Sequence, residues 1–265
     1  MRSNHDVLST LPRDDRLAGR TAWVTGSTSG IGEAVAHVLA ASGATVLVSG
    51  RDAARADAVT AAIAAAGGTA HTLVADLAAP PAQLRATAAR AVELAGGRLD
   101  VLVNNAGVYP VSATEDLADD DLESMLAVNV RAPHVLVGAL APAMADRGDG
   151  VVVDIGSWMA RVGSPFGAMY TATKAALEQL TRSWAAEYGP RGVRVNTVAP
   201  GVTATPGNAE AAAVLDQMTA STVAGRPVRP VDVALAVRWL VSDEAAFVHG
   251  TTVDVDGGIS TTRLG

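Results

Sequence analysis

Within YTATKAALEQL, at 170–180, two residues could act together as an acid and the charge that tunes it. They are Tyr170, one of three tyrosines in the chain, and Lys174, four positions later. Lys174 is the only lysine present; the other nineteen basic residues are arginine. A tyrosine hydroxyl titrates near about pH 10, and a positive charge within about 4–6 Å favours its phenolate. Helical residues four apart share a face, so Lys174 can lie beside Tyr170, which falls in the first turn, where the helix dipole favours negative charge. Lysine offers a compact point charge with three rotatable donors, whereas arginine brings a broad planar fork. Taken alone, a YxxxK pair is more often a solvated helix face. It carries chemistry only in the right company.

That company begins with TGSTSGIG at 25–32, placed between a first strand and a first helix. Glycines at Gly26, Gly30 and Gly32 allow a tight turn and close backbone approach, and free amides at the helix start can take a pyrophosphate. The GxxxGxG spacing differs from the common GxGxxG, and the GK[ST] ending of a triphosphate loop is missing. Ser157 closes VVVDIGS and Asn129 lies in a helical stretch. Each alone would pass as a helix cap or as a buried asparagine bonded to backbone.

These residues are spread over a repeating pattern of elements. TAWVT, ATVLVSG, TAHTLVAD, LDVLVNNAG, VVVDIGS, VRVNTVAPG and TTVDVDGG read as strands. Between them fall helices expected near 31–42, 52–66, 119–147, 169–188 and 231–241. Strand and helix alternating at least six times require crossover connections, hence a parallel sheet covered on both faces. The fold class is a doubly wound α/β domain over residues 17–265, preceded by a loosely held arm over 1–16.

Composition narrows the function. The chain has 265 residues, 49% of them hydrophobic, a net charge of −7 and no cysteine. One sizeable core is expected, with no linker dividing it. Without a basic run, nucleic acid and anionic membranes are poor partners. No cysteine and five scattered histidines leave no metal-ligand pattern. The opening residues do not read as a signal peptide, and no uninterrupted apolar run of spanning length is evident, so a cytoplasmic protein is expected.

Taken in order, TGSTSGIG, NNAG at 104–107, Asn129, Ser157, Tyr170 with Lys174 and PGVTAT at 200–205 resemble the short-chain dehydrogenase/reductase family, over about residues 17–258. The closing RWLVSDEAAFVHGTTVDVDGG is similar to that of its 3-oxoacyl-carrier-protein reductases. The resemblance implies a Rossmann-type fold and hydride transfer between a nicotinamide and a carbonyl or secondary alcohol. It implies that Tyr170 exchanges the proton, Ser157 holds the substrate oxygen, Lys174 lowers the Tyr170 pKa and binds the ribose, and Asn129 positions a relay water. It places Gly26, Ser29, Gly30, Ile31 and Gly32 at the pyrophosphate and Asp76 with Leu77 at the adenine. Asn104, Ala106 and Gly107 then border the adenosine ribose, while Pro200, Gly201, Val202 and Thr205 lie near the carboxamide. A homotetramer built on the two long helices is the family habit.

Gly50 stands where NAD enzymes of this fold carry an acidic residue, and Arg51 follows, with Arg55 about one turn later. NADP(H) is therefore expected rather than NAD(H), although Ser29 leaves the glycine loop without a second basic residue. Tyr109, Trp158, Met159 and Phe166 are the expected substrate walls, with Arg161 the one charge nearby; a small apolar or cyclic ketone or alcohol suits them. Positions aligned with the docking arginines of carrier-protein reductases are Pro142 and Ala186, so an acidic carrier protein fits less well. A nucleotide-sensing protein without catalysis is a reading from another class, because fold alone does not dictate chemistry. So is a methyltransferase using S-adenosylmethionine, which would leave YxxxK and the PG segment without work.

Overall fold

The computed structural model describes residue 8 and residues 10–262. Seven strands, all parallel, form one sheet: β1 Thr21–Val24, β2 Thr45–Gly50, β3 Thr69–Val74, β4 Val101–Asn104, β5 Gly150–Ile155, β6 Val193–Pro200 and β7 Thr252–Val255, in the order β3-β2-β1-β4-β5-β6-β7. Alternation along the strands divides the core in two. Val24, Val46, Val48, Val101, Val103, Val151 and Val153 point to one face, while Trp23, Leu47, Leu102 and Val152 point to the other. Helices α1 (Gly30–Ala41), α2 (Ala53–Ala65) and α8 (Pro230–Val241) cover the first face. The second is covered by α3 (Pro81–Leu94), α5 (Ala132–Arg147) and α6 (Ala168–Tyr188). Because both faces are covered, the strands read as apolar runs.

Two elements differ from the sequence reading. The long helix expected over 119–147 is α4 (Asp119–Leu126) and α5 joined by a π-helical turn at Ala127–Arg131, which holds Asn129. A further helix, α7 (Ala212–Thr219), lies between β6 and α8, where no helix was expected.

The Asp119–Arg147 stretch is also long and apolar enough by length and composition to cross a membrane, contrary to expectation. However, 61% of that apolar window is buried inside the fold, as in a core helix of a globular domain. The first residues of the expected arm lie outside the described residues. From Arg13 on the chain is tied down: Arg13 donates to the Ala66 carbonyl (2.9 Å), the Asp14 amide to Ala41 (3.0 Å), and Arg238 pairs with Asp14 (3.5 Å).

Candidate active site

The strand order reverses between β1 and β4, and in open parallel sheets a crevice forms at that point outside the carboxyl ends of the strands. Here a cavity of about 390 Å³ opens there. Its floor is the loop between β1 and α1, where Gly26 (φ 63°) and Gly30 (φ 58°) adopt left-handed conformations that favour glycine. A Cβ on Gly32 would lie 2.3 Å from the Gly26 carbonyl oxygen and 2.4 Å from Asn105 Nδ2, so only glycine lets the helix approach the strand. Ser29, at the N-cap of α1, makes no side-chain capping bond, which leaves the first-turn amides open to an anion. Ser49, Gly50, Arg51 and Arg55 line one end, Ala75 to Ala78 the next wall, then Asn105, Ala106, Gly107, Val108 and Tyr109, with Thr205 and Gly207 opposite.

Several sequence-selected residues meet beyond the Tyr109 end of this cavity. Ser157 is buried at the end of β5, and its Oγ caps the following turn by accepting the Met159 amide (3.2 Å). Tyr170 is half-buried in the first turn of α6, its ring edge-to-face with Tyr109 at 6.3 Å. Burial pushes the Tyr170 phenol above its ordinary value, a hydrogen bond with the Ser157 hydroxyl draws it back down, and Tyr109 raises it. Lys174 is buried, its Nζ 5.9 Å from the Tyr170 ring centroid and donating to the Ile155 carbonyl at 2.8 Å. Burial lowers its ammonium to about 8, partly countered by Asp154. The lysine is thus beside the tyrosine, as the spacing predicts, but its hydrogen bond goes to β5 and the tyrosine stays protonated at neutral pH.

Asn129 is turned by the π-helical turn against the end of the NNAG loop. It accepts the Val108 amide and donates to the Val108 carbonyl (both 2.9 Å) and to Thr173 Oγ1 (3.1 Å). A Cβ on Gly107 would lie 3.4 Å from both Asn129 Oδ1 and Lys174 Nζ, so this glycine marks where the two converge.

Other expected residues lie elsewhere. Asn104 is buried at the end of the central strand β4 and donates to Asp154 (2.8 Å); its neighbour Asn105 faces the cavity and donates to the Thr25 and Gly26 carbonyls (2.8 and 3.0 Å). The two asparagines of NNAG cannot be told apart by composition, since strand alternation decides which one faces in. Pro200, Gly201 and Val202 are buried behind the cavity wall, and Gly201 is pressed against the Asp256 backbone, 2.6 Å from a would-be Cβ. Of this group Thr205 reaches the cavity. Asp76 and Leu77 line it as expected.

Of the expected substrate walls, Tyr109 lines the main cavity, Phe166 is largely exposed, and Trp158 and Met159 lie half-buried along the turn after Ser157. A second cavity of about 90 Å³ beside Tyr170 is lined by Pro110, Ser112, Thr114, Leu117 and Met125 among others. Arg161 turns away from the substrate side to pair with Asp254, and sits 3.6 Å from Glu178. Thr28 was also missed. Its methyl would meet a Cβ on Gly50 at 2.6 Å, so a side chain at the end of β2 would require Thr28 to shift.

Such a cleft takes a dinucleotide, and a phenol at its far end can move a proton as a hydride moves; the arrangement is that of an oxidoreductase working on CH–OH and C=O groups with NAD(P). The donor set fits the cofactor: open helix amides, glycines that admit a close-lying phosphate and guanidinium groups at one end. A family model described as "Enoyl-(Acyl carrier protein) reductase" matches residues 26–260. A cyclopentanol dehydrogenase of Comamonas sp. is 37% identical over 167 residues, 61% of this chain and 66% of its own. A D-threitol dehydrogenase of Mycolicibacterium smegmatis is 35% identical over 247 residues, 92% and 94% of the two chains. The structure of a 3-oxoacyl (acyl-carrier-protein) reductase from Agrobacterium tumefaciens C58 with NADP bound superposes with a TM-score of 0.87 at 34% identity, over 91% and 95% of the two chains. The chain belongs to the short-chain dehydrogenase/reductase family.

Proposed function

We propose that this protein is an NADP(H)-dependent reductase of small apolar or cyclic ketones, working in reverse on the matching secondary alcohols. The observation that carries this reading is Tyr170 beside Ser157 and Lys174 at the end of a dinucleotide cleft. The bound nicotinamide supplies the hydride. Ser157 holds the substrate oxygen and stabilises the charge that develops on it. Tyr170, whose phenol burial pushes further above neutrality, delivers its proton to that oxygen, so its state at neutral pH suits reduction. Lys174 donates to the nicotinamide ribose hydroxyls and, as an ammonium, favours the phenolate that Tyr170 becomes. Asn129 fixes the Val108 end of the NNAG loop and orders the proton path behind Lys174. The test is a carbonyl and alcohol panel with NADPH and NADP. Turnover of cyclic or apolar ketones is expected, and turnover confined to polyols would refute the substrate assignment.

The cofactor preference rests on the end of β2. The space a carboxylate would need at Gly50 is filled by Thr28, while Arg51 and Arg55 line the cavity and Arg55 reaches the Thr28 carbonyl (3.5 Å). Charge-assisted bonds to a 2′-phosphate at such a solvated rim support about a tenfold or greater preference for NADPH. Arg51→Ala is expected to raise the NADPH KM several-fold and to leave that for NADH nearly unchanged. An unchanged cofactor ratio would rule the assignment out.

A second reading is reduction of 3-oxoacyl-carrier-protein thioesters, favoured by the similarity to the Agrobacterium reductase. Pro142 and Ala186, exposed on α5 and α6, put no positive charge where an acidic carrier would dock, and the net charge of −7 opposes the encounter.

We also propose a homotetramer. Of the apolar residues spaced along α6, Leu177, Trp184 and Tyr188 are buried within the protomer and Leu180 is half-buried against the same core. What remains exposed is a strip of small residues on α5, Gly138, Ala139, Pro142 and Ala143, where another helix could approach closely. Light scattering should give four times the 26.7 kDa protomer mass at micromolar concentration; a monomer would refute this.

A further inference from the structure

Under the active site lies a buried carboxylate that the steps above leave unused. Asp154, on β5 three residues before Ser157, is completely buried. Its two oxygens are held by different elements: Asn104 Nδ2 of β4 donates to Oδ1 (2.8 Å), and Thr181 Oγ1 of α6 donates to Oδ2 (2.6 Å). Thr181 in turn shares a hydrogen bond with Thr197 of β6 (2.8 Å). Lys174 is anchored to the same strand through the Ile155 carbonyl, the residue next to Asp154. Among the described residues Lys174 forms no ion pair with a carboxylate, and its hydrogen bond goes to the Ile155 carbonyl.

We propose that Asp154 is a positioning residue of this site: the buried counter-charge that keeps the single lysine an ammonium and holds it on β5 facing the tyrosine. A buried ammonium is costly unless an opposite charge lies near it, and a buried carboxylate needs the same. The directions agree. Burial raises Asp154 to about 6, with Thr181, Asn104 and Lys174 opposing, and burial lowers Lys174 to about 8, with Asp154 opposing. Between those values both groups carry charge. The other titratable groups here are Tyr170 and Glu178 on α6. Glu178 is answered by Arg161 and Arg182, with Asp254 of β7 beyond, and Tyr170 is faced by Tyr109. Glu178 thus has its own cations, and Asp154 is left to Lys174.

This inference concerns the lysine that the proposed reaction uses, but it is tested without any reaction. A single lysine means that the full chain grown with ¹³C-labelled lysine gives one ¹³Cε signal, whose pH titration reads Lys174 directly, with no cofactor or substrate present. Asp154→Asn keeps the shape and the bond from Asn104, and Thr181 can reorient to accept from the new amide while donating to Thr197. The Lys174 midpoint is expected to fall by about one unit in this variant, and the alkaline limb of kcat to move with it. Glu178→Gln should leave the midpoint in place. If Asp154→Asn does not fold, Thr181→Val removes one donor from the carboxylate and should shift the midpoint the same way by less. An unchanged midpoint, or an equal fall in Glu178→Gln, overturns the proposal even if the protein reduces ketones. A fall confined to Asp154→Asn or Thr181→Val supports it even if no substrate is turned over.

Discussion

Replacing Tyr170 by Phe is expected to lower kcat by at least about a hundredfold, the range in which a positioned proton donor contributes. The variant removes one oxygen and keeps the ring, whose edge-to-face contact with Tyr109 at 6.3 Å does not need the hydroxyl. NADPH affinity, measured by fluorescence titration, should change little, since the glycine loop and the walls formed by 75–78 and 105–108 are untouched. The combination of lost turnover and retained binding identifies a group that acts in the transition state. Turnover within a few-fold of the unmodified protein would show that the proton comes from elsewhere.

Lys174→Arg keeps the charge and is nevertheless expected to cost at least about tenfold in turnover. Lys174 Nζ occupies a buried position with one carbonyl partner at 2.8 Å, and the Gly107 Cα lies so near that a Cβ there would be 3.4 Å away. A guanidinium brings three nitrogens and five donors to a space shaped for one nitrogen. It must displace the Gly107 backbone or swing toward the cavity, and either disturbs the ribose end of the cleft. The NADPH KM should therefore rise as kcat falls, unlike the pattern for Tyr170→Phe. Full activity would mean that the chain needs only charge at this position, and the single lysine would lose its explanation.

The doubly wound class and the helix positions were legible because they depend on local periodicity. The 31–42, 52–66, 169–188 and 231–241 helices fall within a residue of α1, α2, α6 and α8. Tyr170 and Lys174 were legible for the same reason, since four residues on a helix span a fixed distance. The break at Ala127–Arg131 was not. A π-helical turn is one extra residue accommodated by packing on both sides, and its residues carry no composition that marks it.

The sequence by itself determined which chemistry is possible: a glycine loop that admits a close-lying phosphate, a phenol with a lysine one turn on, and no thiol. It also determined that Gly50 carries no carboxylate toward a ribose. Only the tertiary structure decided which of two adjacent asparagines faces the cleft, because that follows from strand alternation against its neighbours. It alone turned Arg161 toward Asp254 and away from the substrate, and buried the apolar residues of α6 that could otherwise have faced a second copy. It also set the direction in which the phenol shifts. Spacing brings a charge near Tyr170, but burial, which depends on everything packed around it, is the largest influence on its phenol and pushes it up.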